Sequence, residues 1–265
     1  MTTDEMKLPA SLHYVAFPSL HEKPLTIAGR LRVPFGAGRK PAVLILHGSA
    51  GPSAREGGYA DVLNAAGFVT LELDQWAARG LKGGAEGRPK TMAETVPDVY
   101  GARAFLAAHP AVDVSRIGVM GFSFGGVASM LSATHRHNDP FLPDGHFKAY
   151  MPFYPAAWTY NKIPGFEFGD LVDAPVLIVT GALDQYDNDR HVTEKLVAEL
   201  SAKDAAKISL KVMEDAHHCF DMPGVDVVVV DPFANQGKGG EVIMRCNEKA
   251  MADAHGLAVK FFSEM

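Results

Sequence analysis

From residue 42 onward, short apolar runs alternate with longer segments of helical character, and this alternation constrains the fold more than any other feature. The run A-V-L-I-L (42–46) is continuously apolar, as expected of a strand buried on both faces of a sheet. Further strands are predicted at 68–73, 116–122, 147–153, 176–180 and 208–213, and helices at 59–66, 92–109, 127–134 and 191–201. This order predicts an α/β fold, a doubly wound and mostly parallel sheet with helices on both faces.

The two ends of the chain depart from this alternation. Before it, the alternating residues of 11–17 and 25–33 predict two antiparallel strands. After it, V-D-V-V-V-V (225–230) predicts one more short strand, and a final helix is predicted over about 241–262. The sequence shows neither an internal repeat nor a linker, so we expect one α/β domain spanning residues 1–265.

Charge and composition exclude several classes of partner. The formal net charge is −6 and no dense Lys/Arg run occurs, which argues against nucleic acid. The first ten residues lack the apolar core of a signal peptide, and no apolar run is long enough to cross a bilayer. We therefore expect a cytoplasmic protein with neither a membrane nor a nucleic-acid partner. The oligomeric state is not predicted.

The pentapeptide G-F-S-F-G (121–125) is the first candidate for chemistry. It follows a predicted strand and precedes a predicted helix, which is the setting of a nucleophile elbow with Ser123 at its tip. The alternative is a glycine-rich turn that serves packing or binds a phosphate. The chain contains neither G-x-G-x-x-G nor G-x-x-x-x-G-K-[ST], so the nucleophile interpretation is favoured.

A serine hydroxyl needs a base, and the base needs an orienting acid. In folds with this elbow the chain order is Ser, Asp or Glu, His. Asp184 directly follows a predicted buried strand, where ligand groups of α/β sheets collect, and it is favoured over Asp187 and Asp189. The base is expected after the next strand, in E-D-A-H-H-C-F-D. Spacing does not choose there between His217 and His218.

Two backbone N–H groups are candidates for an oxyanion hole. One belongs to Phe124, the residue after the nucleophile. The other belongs to Ser49, in the loop H-G-S-A-G after an early strand. Such donors stabilise negative charge that exists only in the transition state. His47 is interpreted as a structural residue of that loop.

Other polar or aromatic segments were weighed as binding sites. Tyr154 and Trp158, in F-Y-P-A-A-W-T-Y, are candidate substrate-pocket residues, with ordinary packing as the alternative. The loop with His135, His137 and His146 is interpreted as solvated rather than as a zinc site. A solvated loop is also the interpretation for Arg79, Lys82 and Arg88. Neither a metal nor an organic cofactor is expected.

Four segments together resemble the dienelactone hydrolase-like branch of the α/β-hydrolase fold. They are H-G-S-A-G, R-I-G-V-M-G-F-S-F-G-G, V-L-I-V-T-G-A-L-D and A-H-H-C-F-D, and the resemblance runs from about residue 25 to the C-terminus. The family pattern of a small residue, x, His, x, Phe falls on Ala216, His218 and Phe220. The resemblance therefore implies Ser123 as nucleophile, Asp184 as acid and His218 as base.

The sequence departs from that family in the nucleophile. Dienelactone hydrolases use cysteine and carry a Gln-Glu pair in the early loop, whereas this chain has Ser123 and His47-Gly48. It therefore resembles the serine esterase branch, which implies hydrolysis of carboxylic esters through an acyl-enzyme. A peptidase or thioesterase on the same residues is the second hypothesis. A non-catalytic binding module is the third, and it would predict a missing catalytic residue.

Overall fold

A computed structural model describes residues 10–84 and 87–265. The strands of its main sheet are β1 (Ala10–Pro18), β2 (Thr26–Pro34), β3 (Lys40–Leu46), β4 (Val69–Asp74), β5 (Val112–Phe122), β6 (Tyr150–Phe153), β7 (Val176–Gly181) and β8 (Ile208–Met213). Their order in the sheet is β1-β2-β4-β3-β5-β6-β7-β8. Pairing is antiparallel between β1, β2 and β4 and parallel from β4 through β8, which confirms the predicted mostly parallel α/β sheet.

Helices connect these strands, and a hairpin lies outside the main sheet. The helices are α1 (Ala54–Ala65), α2 (Val96–Ala108), α3 (Phe124–Leu131), α4 (His135–Asn138), α5 (Val192–Ala198), α6 (Ala202–Ala205), the single kinked turn α7 (Ala234–Gly237) and α8 (Glu248–Ser263). Strands β9 (Asp226–Asp231) and β10 (Gly240–Arg245) pair antiparallel as a separate two-stranded sheet. In the part of the chain that the structure describes, no helix has the length and apolar character needed to cross a bilayer.

The sheet is covered on both faces, as predicted. Alternate residues of β3 belong to different apolar clusters because side chains of a strand point alternately to its two faces. Leu44 packs with residues of α2 and α3, whereas Val43 and Ile45 pack with residues of α1 and α8. Strand β5 lies beside β3 in the centre of the sheet, so the turn that follows it is supported from both sides.

The prediction of a final helix over 241–262 was wrong at its start. Residues Gly240–Arg245 form β10, and α8 begins only at Glu248, where Asn247 caps it by accepting a hydrogen bond from the N–H of Ala250. Pairing with β9 makes this segment a strand, and Val242 is completely buried in that arrangement. A window of local sequence contains no information about that partner strand.

The boundaries of other predicted helices also shifted. Helix α1 starts five residues earlier than predicted, because Ser53 and Glu56 form a capping box. The segment 92–109 is divided at Thr95 into a 3-10 turn (Met92–Glu94) and α2. The segment 191–201 contains only α5, with α6 following as a separate turn.

Candidate active site

Ser123 occupies a sharp turn between β5 and α3. Its backbone angles are φ 52° and ψ −111°, a conformation that L-residues rarely adopt. The turn is held by hydrogen bonds from the Ser123 N–H to the Phe153 carbonyl (3.0 Å) and from the Val127 N–H to the Ser123 carbonyl (2.8 Å). This is the strained strand-to-helix geometry of a nucleophile elbow.

The glycines around Ser123 are required by the close approach of backbone segments. A Cβ atom at Gly121 would lie 2.1 Å from the carbonyl oxygen of Gly125. A Cβ atom at Gly125 would lie 2.5 Å from the carbonyl oxygens of both Leu46 and His47. Because these neighbours are backbone atoms that cannot rotate away, larger residues would push α3 off the sheet.

The structure brings Ser123, His218 and Asp184 into one hydrogen-bonded row. The Ser123 Oγ atom is 2.9 Å from His218 Nε2, and His218 Nδ1 is 2.7 Å from Asp184 Oδ2. His218 is 1% exposed and Asp184 is 5% exposed. A carboxylate only accepts hydrogen bonds, so Nδ1 carries the proton and Nε2 is free to accept the serine proton.

The other candidates for acid and base lie in different interactions. Asp187 is buried, and its Oδ1 accepts a hydrogen bond from the Trp158 N–H at 2.9 Å. Asp189 binds the exposed side chain of Lys195 at 2.6 Å. His217 is half-buried, with no hydrogen-bond partner for its Nδ1 among the residues that the structure describes. Of the five residues considered from sequence, Asp184 and His218 are therefore the two that meet.

The buried carboxyl group of Asp187 makes the stability of the protein depend on pH. Burial, together with the nearby charge of Asp184, raises the pKa of Asp187 to about 7. The folded state thus binds this proton more tightly than the unfolded state. Its contribution to stability is complete below the unfolded pKa near 4 and is lost as the pH rises through about 7.

We therefore expect Asp187→Asn to gain stability relative to the wild type between pH 5 and pH 8, by about 2 to 3 kcal/mol. Asparagine keeps the acceptor for the Trp158 N–H but cannot ionise. The measurement is urea unfolding of both proteins at the two pH values. Parallel changes of unfolding free energy with pH would contradict the prediction.

The loop that contains Ser49 lies against the elbow. A Cβ atom at Gly48 would be 3.7 Å from the Ser123 Cβ. The Ser49 carbonyl accepts hydrogen bonds from Trp76 Nε1 (3.0 Å) and the Gly84 N–H (2.7 Å), which hold the loop in place. Phe124 is the first residue of α3, and the N–H groups of a first helical turn have no acceptor within the helix.

His47 has structural interactions in the same loop. Its Nδ1 donates to the Gly48 carbonyl at 2.7 Å, and its Nε2 accepts from the Gln75 N–H at 3.1 Å. Burial lowers the pKa of His47, so the imidazole is neutral and connects the early loop to the end of β4. These contacts agree with the structural role expected for His47.

The assignment of Tyr154 to a substrate pocket is corrected, because its side chain is buried in the core. Tyr154 is 0% exposed, its ring centroid lies 4.6 Å from that of His218, and its hydroxyl donates to Asp221 Oδ1 at 2.6 Å. It therefore packs under the imidazole instead of lining an open pocket. Trp158 is half-buried and its ring packs against Gly237, where a Cβ atom would lie 2.6 Å from the indole.

Sequence analysis missed a buried charged cluster beside the site. Arg55 donates to Glu56 Oε1 at 2.7 Å and to the Tyr154 hydroxyl at 3.1 Å, and its Nη1 lies 3.6 Å from Cys219 Sγ. The guanidinium also lies 4.3 Å above the ring of Phe122. The sequence shows only a charged pair in the first turn of a helix, which is usually exposed.

Cys219 lies next to the base in sequence but is a buried thiol. Burial raises the pKa of Cys219 to about 12. The thiolate is the reactive form of cysteine, so the group is inert near neutral pH.

The segment that contains Arg79, Lys82 and Arg88 was predicted as a solvated loop, but two of these side chains are held by other residues. Arg79 donates to the buried carboxylate of Asp98 at 2.8 Å. Arg88 lies over the ring of Phe233, with 4.5 Å between the guanidinium carbon and the ring centroid. Lys82 is exposed, as expected.

The histidine-rich loop contains the single helical turn α4. His135 is partly exposed, and its Nδ1 lies 3.1 Å from Asp139. Over residues 10–84 and 87–265, no group of three or more His, Cys, Asp or Glu side chains is placed to hold a metal ion.

The order of the sheet, the strained serine turn and the loops after β7 and β8 together define an α/β-hydrolase fold. A dienelactone hydrolase-like promiscuous phosphotriesterase from metagenomic libraries is similar, with a TM-score of 0.68 and 19% identity over 96% of this chain and 98% of that chain. A dienelactone hydrolase from Anabaena variabilis has a TM-score of 0.60 and 22% identity, over 97% of this chain and 98% of that chain. A hyperthermophilic esterase from the archaeon Pyrobaculum calidifontis has a TM-score of 0.62 and 17% identity, over 96% of this chain and 86% of that chain.

Sequence comparison narrows this class to one family. The profile of the dienelactone hydrolase family matches residues 27–265, and the chain belongs to this family. The resemblance inferred from the four motifs is thereby confirmed. No curated protein matches the chain.

Proposed function

We propose that the chain is a serine hydrolase that cleaves small carboxylic esters through an acyl-enzyme. The observation that carries this proposal is the hydrogen-bonded row from Ser123 through His218 to Asp184, with the serine held at a strained elbow. Membership of the dienelactone hydrolase family and the similarity in fold to an archaeal esterase support it. The proposed mechanism uses neither a metal nor an organic cofactor.

In the first half-reaction, Ser123 Oγ attacks the ester carbonyl carbon. His218 Nε2 accepts the hydroxyl proton as the new C–O bond forms, and the Asp184 carboxylate stabilises the resulting imidazolium. The carbonyl π electrons move to oxygen, and the N–H groups of Phe124 and Ser49 bind that oxyanion. Each such donor lowers the barrier by about 3 kcal/mol, because the charge is absent from the ground state.

The tetrahedral intermediate then collapses. The C–O bond to the alcohol breaks as the imidazolium of His218 donates its proton to the departing oxygen. In the second half-reaction, His218 takes a proton from water, which attacks the acyl-enzyme carbonyl. Collapse of the second intermediate returns the proton to Ser123 Oγ and releases the carboxylic acid.

The proposal is tested by reaction with a fluorophosphonate, followed by intact mass and peptide mapping. We expect one adduct per chain, located on Ser123 and absent from Ser123→Ala, because the reagent reports an activated serine directly. Wild-type protein that takes no label would contradict the proposal and favour a non-catalytic binding module.

The reaction class is tested by comparing kcat/KM on an ester, a thioester and an amide with the same acyl group. We expect the ester to be cleaved fastest. A faster thioester or amide would replace the ester proposal with a thioesterase or a peptidase on the same three residues.

A further inference from the structure

The imidazole of His218 packs against two tyrosine rings. The ring centroid of Tyr154 is 4.6 Å away at an interplanar angle of 62°, and that of Tyr186 is 4.4 Å away at 52°. Tyr154 follows β6 and Tyr186 lies in the loop after β7, whereas His218 follows β8. Three separate loops therefore meet at the base. We call Tyr154 and Tyr186 the tyrosine pair.

The hydroxyl of Tyr154 is held from within the core. It donates to Asp221 Oδ1 at 2.6 Å and accepts from Arg55 at 3.1 Å. Burial raises the pKa of Tyr154 well above its usual value, so the phenol stays neutral and remains a donor. Asp221 also accepts a hydrogen bond from the Tyr59 hydroxyl at 2.7 Å, which fixes the carboxylate.

Tyr186 contacts both Asp184 and His218. Its backbone N–H donates to Asp184 Oδ1 at 2.9 Å, and its ring packs on His218. Its hydroxyl donates to Asp231 Oδ2 at 2.8 Å, and Asp231 ends β9 of the separate hairpin. Arg88 Nη2 lies 3.6 Å from the same carboxylate.

The hydrogen bonds of His218 leave one motion of its ring unrestrained. The bonds to Asp184 and Ser123 lie on opposite sides of the imidazole, so they allow the ring to rock about the line that joins them. Packing of a ring from the tyrosine pair against the imidazole limits this motion. Misplacement of a reacting group by about 1 Å lowers rates by about 100-fold, so limiting it bears directly on turnover.

Resting on the proposed function, we infer that Tyr186 is a positioning residue for His218, and that Asp231 makes the β9–β10 hairpin part of the catalytic apparatus. Asp231 holds the Tyr186 hydroxyl, and the Tyr186 ring and N–H hold the base and the acid. Loss of the hydroxyl leaves one Asp231 oxygen without its donor and frees the ring to move away from the imidazole.

The test compares Tyr186→Phe with Tyr100→Phe. Tyr100 is an equally buried tyrosine of α2, whose hydroxyl lies 3.2 Å from both the Ser132 carbonyl and Asn138 Oδ1, so it is a matched control outside the site. We expect Tyr186→Phe to lower kcat and the rate of fluorophosphonate labelling by about tenfold or more, with KM changed by less than about twofold. Tyr100→Phe is expected to lower the melting temperature without slowing labelling.

Asp231→Ala provides a second and independent variant. It removes the acceptor of the Tyr186 hydroxyl without touching His218, and we expect the same loss of labelling rate. The double variant Tyr186→Phe/Asp231→Ala is expected to be about as slow as the slower single variant, since both remove one interaction. If Tyr186→Phe does not fold, the single variant Asp231→Ala still tests the inference.

The outcomes separate this inference from the proposed function. Labelling of the wild type with unchanged labelling of both Tyr186→Phe and Asp231→Ala would overturn the inference and leave the proposed hydrolase intact. A wild type that does not label would overturn the proposed function itself. Slower labelling of both variants, with Tyr100→Phe unaffected, supports the inference.

Discussion

Replacement of His218 by alanine is expected to lower kcat/KM for ester hydrolysis by about 10⁴-fold to 10⁶-fold, whereas His217→Ala retains activity to within about threefold. His218 Nε2 is the acceptor 2.9 Å from Ser123 Oγ, and its removal leaves the hydroxyl without a base. His217 is adjacent in sequence, but its side chain takes no part in the hydrogen-bonded row.

The pair of histidine variants is a matched comparison, because both substitutions remove the same group from the same loop. Initial ester hydrolysis rates and fluorophosphonate labelling rates would be measured on both proteins, after circular dichroism has shown that each is folded. A greater loss for His217→Ala than for His218→Ala would reverse the assignment of the base and contradict the proposed mechanism.

Arg55→Met is expected to lower the free energy of unfolding by about 3 to 5 kcal/mol, the usual effect of leaving a buried charge without its partner. Arg55 is 3% exposed and Asp221 is completely buried. Burial would raise the pKa of Glu56, but the Arg55 charge and the hydrogen bonds from Ser53 and Arg55 together outweigh this, and the pKa lies below its usual value. Without Arg55, the Glu56 carboxylate has no opposite charge in contact among residues 10–84 and 87–265.

The control for this prediction is Arg116→Met. Arg116 and Asp113 form an ion pair at 2.8 Å that is partly exposed to solvent, and such pairs contribute less than about 1 kcal/mol. Urea unfolding of the wild type and both variants measures the difference. Arg55→Lys is expected to fall between them, because an ammonium group cannot make the planar, forked contacts of a guanidinium. Equal midpoints for Arg55→Met and Arg116→Met would contradict the prediction.

Most of the fold could be predicted from local patterns, and the segment that was assigned the wrong type of element has a non-local cause. Continuous apolar runs identified the parallel strands, because those strands are buried on both faces. The segment 241–245 was predicted as helix but belongs to β10, which forms by pairing with β9 across a turn. Its exchange of backbone hydrogen bonds with another segment outweighs its own propensity.

The candidate site divides in the same way. The sequence indicated Ser123, favoured Asp184 because it directly follows a strand, and implied His218 through the family resemblance. The structure adds the physical reason that Asp187 does not compete, because the two carboxylates face different neighbours. The burial of Arg55 could not be predicted, since its partners Tyr154 and Cys219 are 99 and 164 residues away in the chain.

The sequence by itself determined the α/β class, the membership of a hydrolase family and the elbow. The elbow is readable because its residues are contiguous in the chain: Gly121 and Gly125 lack side chains where a Cβ atom would lie 2.1 to 2.5 Å from a backbone oxygen, and Ser123 lies between them. The tertiary structure alone decided which residues surround the base. Parallel strands bring the ends of β6, β7 and β8 to one edge of the sheet, and this places Tyr154, Tyr186 and His218 in contact across loops that no local pattern relates.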